Sequence, residues 1–290
     1  MAGIEKVAVV GAGTMGSQIA LQTALSGKYS VALTDADASQ LERAEAANDK
    51  LLNRAVERGR ASQEHSDAAR TALSYTPDLA KAEGAGLVIE AIYENLEAKQ
   101  ELFRRLDEIA GPDAILASNS SSIAISRLAS VTKRPASCCN LHFFHPVTVM
   151  ELCEVVRGPQ TSDATVDIAM EFVRSINRVP VLLQKEIHGF IVNRILFAAT
   201  EEALHLLEGG YATFEDIDTA VKKGLNWPMG PFELLDFSGI DVFYGAMLDR
   251  FERGEGPEPR PTLKQKVETK ELGRKTGKGF YEYAARGSGG

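Results

Sequence analysis

Two short segments carry side chains that could do acid–base chemistry together. NLHFFHPV (Asn140–Val147) puts His142 at the end of an apolar run, and MELCEVV (Met150–Val156) puts Glu154 inside the next one. A carboxylate among Met150, Leu152 and Val156 is costly to bury without a partner. If the two runs are neighbouring strands, the imidazole of His142 is the nearest sensible partner. Such a dyad fixes the imidazole tautomer and favours its protonated form, as a general base requires. A histidine in an apolar strand is by itself more often a core residue; the paired acid turns the reading toward catalysis.

A second constellation lies near the N-terminus. VAVVGAGTMG spaces Gly11, Gly13 and Gly16 as G-x-G-x-x-G, directly after an apolar run and at the opening of a helical stretch. In such a turn (Gly11, Ala12, Gly13, Thr14, Met15, Gly16) the three glycines allow a tight bend, close approach of backbone to a pyrophosphate, and close packing of helix on strand. The helix N-terminus adds unpaired N–H groups and a partial positive charge. Asp35 closes the second apolar run about 20 residues further on, where an acid is needed for the hydroxyls of an adenine ribose. A carboxylate there repels a 2′-phosphate, and Ala36-Asp37-Ala38 offers no arginine to receive one. NAD is therefore expected as cofactor rather than NADP.

The elements that must hold these residues follow from the pattern of apolar runs. Strands are expected at Val7–Val10, Ser30–Thr34, Leu87–Ile92, Ala114–Ala117, Ala136–Leu141, Val149–Val156 and Val179–Leu183, with helices between them, including Met15–Ser26 and Leu41–Arg58. The alternation predicts an α/β fold with a mainly parallel, Rossmann-type sheet. Leu41–Arg58 is long for a crossover helix, so part of it is expected to project. After Gln184 the strand signals stop. Helices are expected at Phe190–Glu208, Phe214–Lys223 and Phe232–Phe251, with Gly254–Pro261 a loop. The expected organisation is an α/β domain at 1–184 and an all-helical domain at 185–290, with residues 285–290 a disordered tail.

Composition excludes other classes. The 290 residues suffice for two domains, and 44% hydrophobic with 25% charged residues is the balance of a soluble globular protein. A net charge of −8 argues against a nucleic-acid partner. The three cysteines, Cys138, Cys139 and Cys153, give no disulfide framework. Cys138 and Cys139 would point to opposite faces of a strand, and no metal site is expected. The first apolar run ends in the glycine turn, so it reads as a strand and not a signal peptide. No run approaches bilayer length, and a cytoplasmic location is expected.

Seven segments occur in order: GAGTMG, EAIYENLEAK, SNSSSI, LHFFHPV, GFIVNR, GPFELLDFSGID and GRKTGKGFY. In these the chain resembles the (S)-3-hydroxyacyl-CoA dehydrogenases, in the short form called 3-hydroxybutyryl-CoA dehydrogenase. The resemblance implies NAD-dependent, reversible oxidation of a (3S)-3-hydroxyacyl-CoA to the 3-oxoacyl-CoA. It further implies that His142 is the base, Glu154 its orienting partner, Ser121 a hydrogen-bond partner of the substrate oxygen, and Asn193 a substrate donor from the helical domain. On residues alone Ser121 reads equally well as a helix cap. Glu94 and Lys99 match positions near the nicotinamide ribose, although by themselves they read as a solvated helix start. Lys275 is implied as a cofactor contact, Arg58 as a CoA-phosphate contact with Lys50, Arg54 and Arg60 as rivals, and a homodimer as the assembly. His145 stands where the family usually has Asn; that puts a titratable ring in place of a neutral amide at a substrate contact. Two other readings are a sugar-acid dehydrogenase of the L-gulonate type, without CoA, and a non-catalytic NAD-binding protein. The His142–Glu154–Asn193 set speaks against the second.

Overall fold

Runs rich in Val, Ile and Leu are apolar on both faces, so they need cover on both sides, and a central sheet between helices supplies it. The computed structural model describes residues 3–283; the expected tail at 285–290 lies outside them. Eight strands form one sheet: β1 (Lys6–Val10), β2 (Ser30–Thr34), β3 (Leu73–Thr76), β4 (Leu87–Glu90), β5 (Ile115–Ser118), β6 (Cys138–Phe143), β7 (Leu152–Val156) and β8 (Val179–Leu183). Their order is β3-β2-β1-β4-β5-β6-β7-β8. Only the β6–β7 pairing is antiparallel. The helices of this part are α1 (Thr14–Leu25), α2 (Ala38–Glu57), α3 (Gln63–Ala72), α4 (Leu96–Ile109), α5 (Ile125–Ala129) and α6 (Asp163–Ser175).

The alternation along each strand sorts the core into two layers. Val7 and Val9 of β1 join Leu33, Ile89 and Phe172 in one buried cluster. Ala8 and Val10 join Val88, Phe103, Leu106 and Leu116 in the other. The long helix α2 buries only the stripe Leu41, Ala44, Asn48 and Leu52.

The chain divides into two compact units, Met1–Ile191 and Val192–Gly290. Residues 185–191 thus stay with the sheet. Phe190 packs with Val156 and Leu183, and the Ile191 N–H donates to Glu154 Oε1 at 2.9 Å. The second unit contains α7 (Val192–Glu208), α8 (Phe214–Gly224), α9 (Pro231–Ser238), α10 (Ile240–Glu252) and α11 (Pro261–Glu268) around Phe197, Leu204, Phe232, Leu235 and Met247.

Buried Asp236 ties its last segment down. Its carboxylate accepts from the N–H groups of Phe280 and Tyr281, each at 2.9 Å, and from the Tyr283 hydroxyl at 3.0 Å. A Cβ on Gly279 would fall 2.0 Å from Asp236 Oδ1, so only glycine fits against it. The segments GPFELLDFSGID and GRKTGKGFY therefore meet for a structural reason.

Four elements differ from expectation. α3 and β3 escape the apolar pattern because α3 buries only Ser66 and Ala69, and β3 buries only Leu73 at the sheet's edge. The expected helix Phe232–Phe251 is two helices, broken where Gly239 takes φ of 98°. The expected loop ends at Pro261, which opens α11 from its first position, where a missing N–H costs nothing.

Candidate active site and cofactor cleft

The glycine turn joins β1 to α1 at the C-terminal edge of the sheet. A Cβ on Gly11, whose φ is +107°, would lie 2.6 Å from the carbonyl of Ala91; one on Gly16 would lie 1.8 Å from the Gly11 oxygen. These two glycines let strand, turn and helix touch. Gly13 is different: a Cβ there meets nothing within 4 Å. It caps α1 with no side-chain bond to the helix N-terminus. Open space before uncapped N–H groups is the cradle a pyrophosphate needs.

Asp35 follows β2 directly. Its Oδ2 accepts from the Ala12 N–H at 2.7 Å and its Oδ1 from the Asp37 N–H at 2.9 Å. The acid thus holds the turn as well as facing the cleft, a task the sequence did not reveal. Each oxygen keeps a lone pair for a ribose hydroxyl. The cleft in front has a volume of about 810 Å³, with Gly13, Thr14, Asp35, Gln40, Tyr93 and Arg105 in its walls. A smaller cavity of about 220 Å³ shares Met15, Ala91 and Ile92 with it and adds Glu94, Lys99, Asn119, Ser120 and Ser121.

Lys99 is no solvated helix residue: it is 1% exposed. Its ammonium donates to Glu90 Oε1 at 2.5 Å and to the Ile92 carbonyl at 3.2 Å, and meets Glu94 Oε2 at 3.2 Å. Those contacts use all three of its donors, so a direct bond to the cofactor has to displace one of them. Glu90, at the end of β4, also accepts from the Ile92 N–H at 2.8 Å and the Ser118 hydroxyl at 2.6 Å. Sequence reasoning missed Glu90; an acid closing an otherwise apolar run was the available signal. Glu94 accepts from the hydroxyls of Ser120 and Ser122. Burial works to raise its pKa, but Lys99 and the two serines outweigh it and hold the carboxyl below its usual range.

Ser121 does not cap a helix, since α5 is capped at Ala124. It stands in the wall of the smaller cavity between two serines already committed to Glu94.

The antiparallel register sets His142 directly opposite Glu154. His142 Nδ1 lies 2.7 Å from Glu154 Oε2, and the rings of Phe144 and Phe190 flank the imidazole at 4.5 and 5.4 Å. Both partners are buried. A neutral imidazole donating from Nδ1 keeps the Nε2 lone pair available, so the pair can take a proton at Nε2 and hold the resulting charge. Asn119 Oδ1 accepts from the Phe143 N–H at 3.0 Å, which ties the loop after β5 to the end of β6.

The remaining expected residues are dispersed. His145 is exposed, with Nε2 3.5 Å from the Gln18 amide nitrogen, while Gln18 Oε1 accepts from the Val147 N–H at 2.8 Å. Arg58 is exposed at the end of α2, near Arg54 in its last turn. In the second unit Asn193 is half-buried in the first turn of α7, and Lys275 pairs with Asp241 at 2.5 Å. All three cysteines are buried; burial pushes the Cys138 thiol up to about 11, which leaves it no role as a nucleophile at neutral pH. Among the described residues no cluster of three or more His, Cys, Asp or Glu could hold a metal, and no helix is long and apolar enough to cross a membrane.

Comparison with known proteins agrees with this geometry. The model of the 3-hydroxyacyl-CoA dehydrogenase NAD binding domain matches residues 6–187, and that of the C-terminal domain of the same family matches 189–283. A probable 3-hydroxybutyryl-CoA dehydrogenase of Deinococcus radiodurans is 40% identical over 96% of this chain and 100% of its own. The mitochondrial hydroxyacyl-coenzyme A dehydrogenase of Rattus norvegicus is 40% identical over 97% and 91%. The crystal structure of (S)-3-hydroxybutyryl-CoA dehydrogenase from Ralstonia eutropha superimposes with a TM-score of 0.91 at 34% identity, covering 97% of this chain and all of that one. The cofactor that the glycine turn and Asp35 fit is NAD. With both family domains matched end to end around a buried His–Glu pair, the chain belongs to the 3-hydroxyacyl-CoA dehydrogenase family.

Proposed function

We propose that the protein catalyses the reversible, NAD-dependent oxidation of a (3S)-3-hydroxyacyl-CoA to the 3-oxoacyl-CoA. The buried His142–Glu154 pair, on the same sheet edge as the NAD cleft, is the observation that carries this reading. His142 Nε2 takes the proton of the 3-hydroxyl. Glu154 holds the imidazole in register and stabilises its charged form, itself steadied by the Ile191 N–H. Ser121 donates to the oxygen that becomes the ketone, where charge builds in the transition state. When bound, NAD supplies the nicotinamide that takes up hydride from C3. Glu94 is the cofactor-side acid and Lys99 braces it. Asn193, His145 and Arg58 as substrate contacts, and Lys275 as a cofactor contact, take their proposed roles from the family pattern. A cytoplasmic homodimer is the assembly this reading carries; exposed Ile195, Phe237 and Val242 on the helical unit support a self-association surface.

The test is NADH oxidation with acetoacetyl-CoA, followed optically, against free acetoacetate and a keto-sugar acid. Turnover should require the thioester. Turnover of the sugar acid alone would favour the L-gulonate type, and no turnover of acetoacetyl-CoA would overturn the proposal. Asp35→Ala should narrow the preference for NADH over NADPH and also weaken NADH by roughly tenfold, because the Ala12 N–H loses a charged acceptor. Titrating both cofactors by fluorescence checks this; an unchanged ratio of affinities would remove Asp35 from its role.

A further inference from the structure

Two carboxylates and one ammonium form a cluster at the smaller cavity: Glu94 and Lys99 line it, and the fully buried Glu90 pairs with Lys99. Their ionisation can be read from the bonds. Ser118 Oγ accepts from the Ser120 N–H and so turns its own proton toward Glu90 Oε2. Glu90 therefore receives three donors, Lys99 Nζ, the Ile92 N–H and the Ser118 hydroxyl. Ser120 Oγ accepts from the Ile123 N–H and in the same way turns its proton toward Glu94. An acid surrounded by donors is a carboxylate. Both are ionised, Lys99 cancels one of them, and the cluster carries a net charge of −1.

That charge sits beside the half of the cofactor that changes charge. Gly13 and the α1 N-terminus mark the pyrophosphate, and Asp35 marks the adenine ribose. The cavity with Glu94 and Ser121 lies on the other side of the turn, over the ends of β4 and β5, where the second half of a dinucleotide belongs. The nicotinamide ring is a cation in NAD+ and neutral in NADH, so an uncompensated anion acts on one form only.

We propose that the Glu90–Lys99–Glu94 cluster, with Glu90 and Lys99 buried and Glu94 exposed in the cavity wall, biases the site toward the oxidised, cationic cofactor, Glu90 being the residue that sets its net charge. Glu90 is a positioning residue as well, since it holds the Lys99 ammonium that braces Glu94. The inference rests on the proposed placement of NAD in this cleft. The α4 N-terminus, which begins beside Lys99, contributes a partial positive charge that parent and variants share.

The experiment compares dissociation constants for NAD+ and NADH in parent, Glu90→Gln, Glu94→Gln and Ser118→Ala, by calorimetry and NADH fluorescence. Glu90→Gln removes one charge and keeps the shape. The ratio Kd(NAD+)/Kd(NADH) should rise about three- to tenfold, the scale expected for one charge at the effective dielectric of a protein site. Glu94→Gln should move the ratio the same way. Ser118→Ala removes a bond to Glu90 without changing charge and should leave the ratio within about twofold. If Glu90→Gln did not fold, Glu94→Gln would decide alone. An unmoved ratio in the folded charge variants overturns the inference, as does a Ser118→Ala shift as large as theirs. Failure of the parent to bind either cofactor would instead sink the NAD placement.

Discussion

Replacing His142 with Gln should lower kcat by roughly two to four orders of magnitude, the usual worth of a positioned general base, and leave NADH affinity within about twofold. The separation follows from the architecture. The walls of the two cavities include the turn after β1, the end of β2 and the loops after β4 and β5, whereas His142 belongs to β6 and its imidazole Nδ1 is committed to Glu154. Gln is preferable to Ala because its amide can still donate to Glu154. Removing the whole side chain leaves a fully buried carboxylate with less compensation, and breaking such a buried pair costs about 3–5 kcal/mol. His142→Ala should therefore lose both turnover and several degrees of melting temperature, while His142→Gln loses turnover and recovers most of the stability. Steady-state kinetics, NADH fluorescence and thermal melts on the two variants separate chemistry from folding. A kcat within a few-fold of the parent in His142→Gln would mean that another group takes the proton.

That pair is legible in the sequence because burial of an acid is expensive and the sequence offers one partner in an adjacent strand. Antiparallel register then did the rest, setting residue 142 opposite 154. The spacing after the glycine turn singled out Asp35 as a candidate ribose acid but not as the acceptor of the Ala12 N–H, since no spacing rule encodes which side of a carboxylate faces the turn. Lys99 misled on its own: lysines are rarely buried, and the partner that makes it tolerable, Glu90, lies at the end of a strand nine residues earlier. The connection from β4 into α4 brings them together, and composition does not. The same limit hid α3 and β3, whose buried residues are too few to leave a periodic trace. The Gly239 break was hidden because apolar residues continue on both sides of it, and only a φ of 98° separates α9 from α10. The roles of Asn193 and Lys275 come from family pattern alone, for neither has a neighbourhood in the sequence that demands a ligand.

The glycines of the turn separate two requirements that the motif merges. Gly16→Ala places a Cβ 1.8 Å from the backbone oxygen of Gly11 and 3.0 Å from its carbonyl carbon. No rotamer can relieve a clash between a Cβ and main chain, so α1 must move off β1. Overpacking of this kind costs about 1–3 kcal/mol, and occasionally more. It also moves the helix N-terminus that would face the pyrophosphate, so NADH affinity and melting temperature should fall together. Gly13→Ala is the opposite case. Its backbone, at φ −67° and ψ −175°, suits any residue, and the added methyl meets no protein atom within 4 Å. The fold should be as stable as the parent, or more so by a few tenths of a kcal/mol through reduced freedom of the unfolded chain. The methyl nevertheless enters the space in front of the uncapped N–H groups, and NADH affinity should drop by at least about tenfold through lost close approach. Stability lost with Gly16→Ala and kept with Gly13→Ala, with binding impaired in both, is the expected pattern from thermal melts and NADH titration. Unimpaired NADH binding in Gly13→Ala would show that the pyrophosphate does not lie against this residue, and the placement of the dinucleotide along the cleft would have to be redrawn.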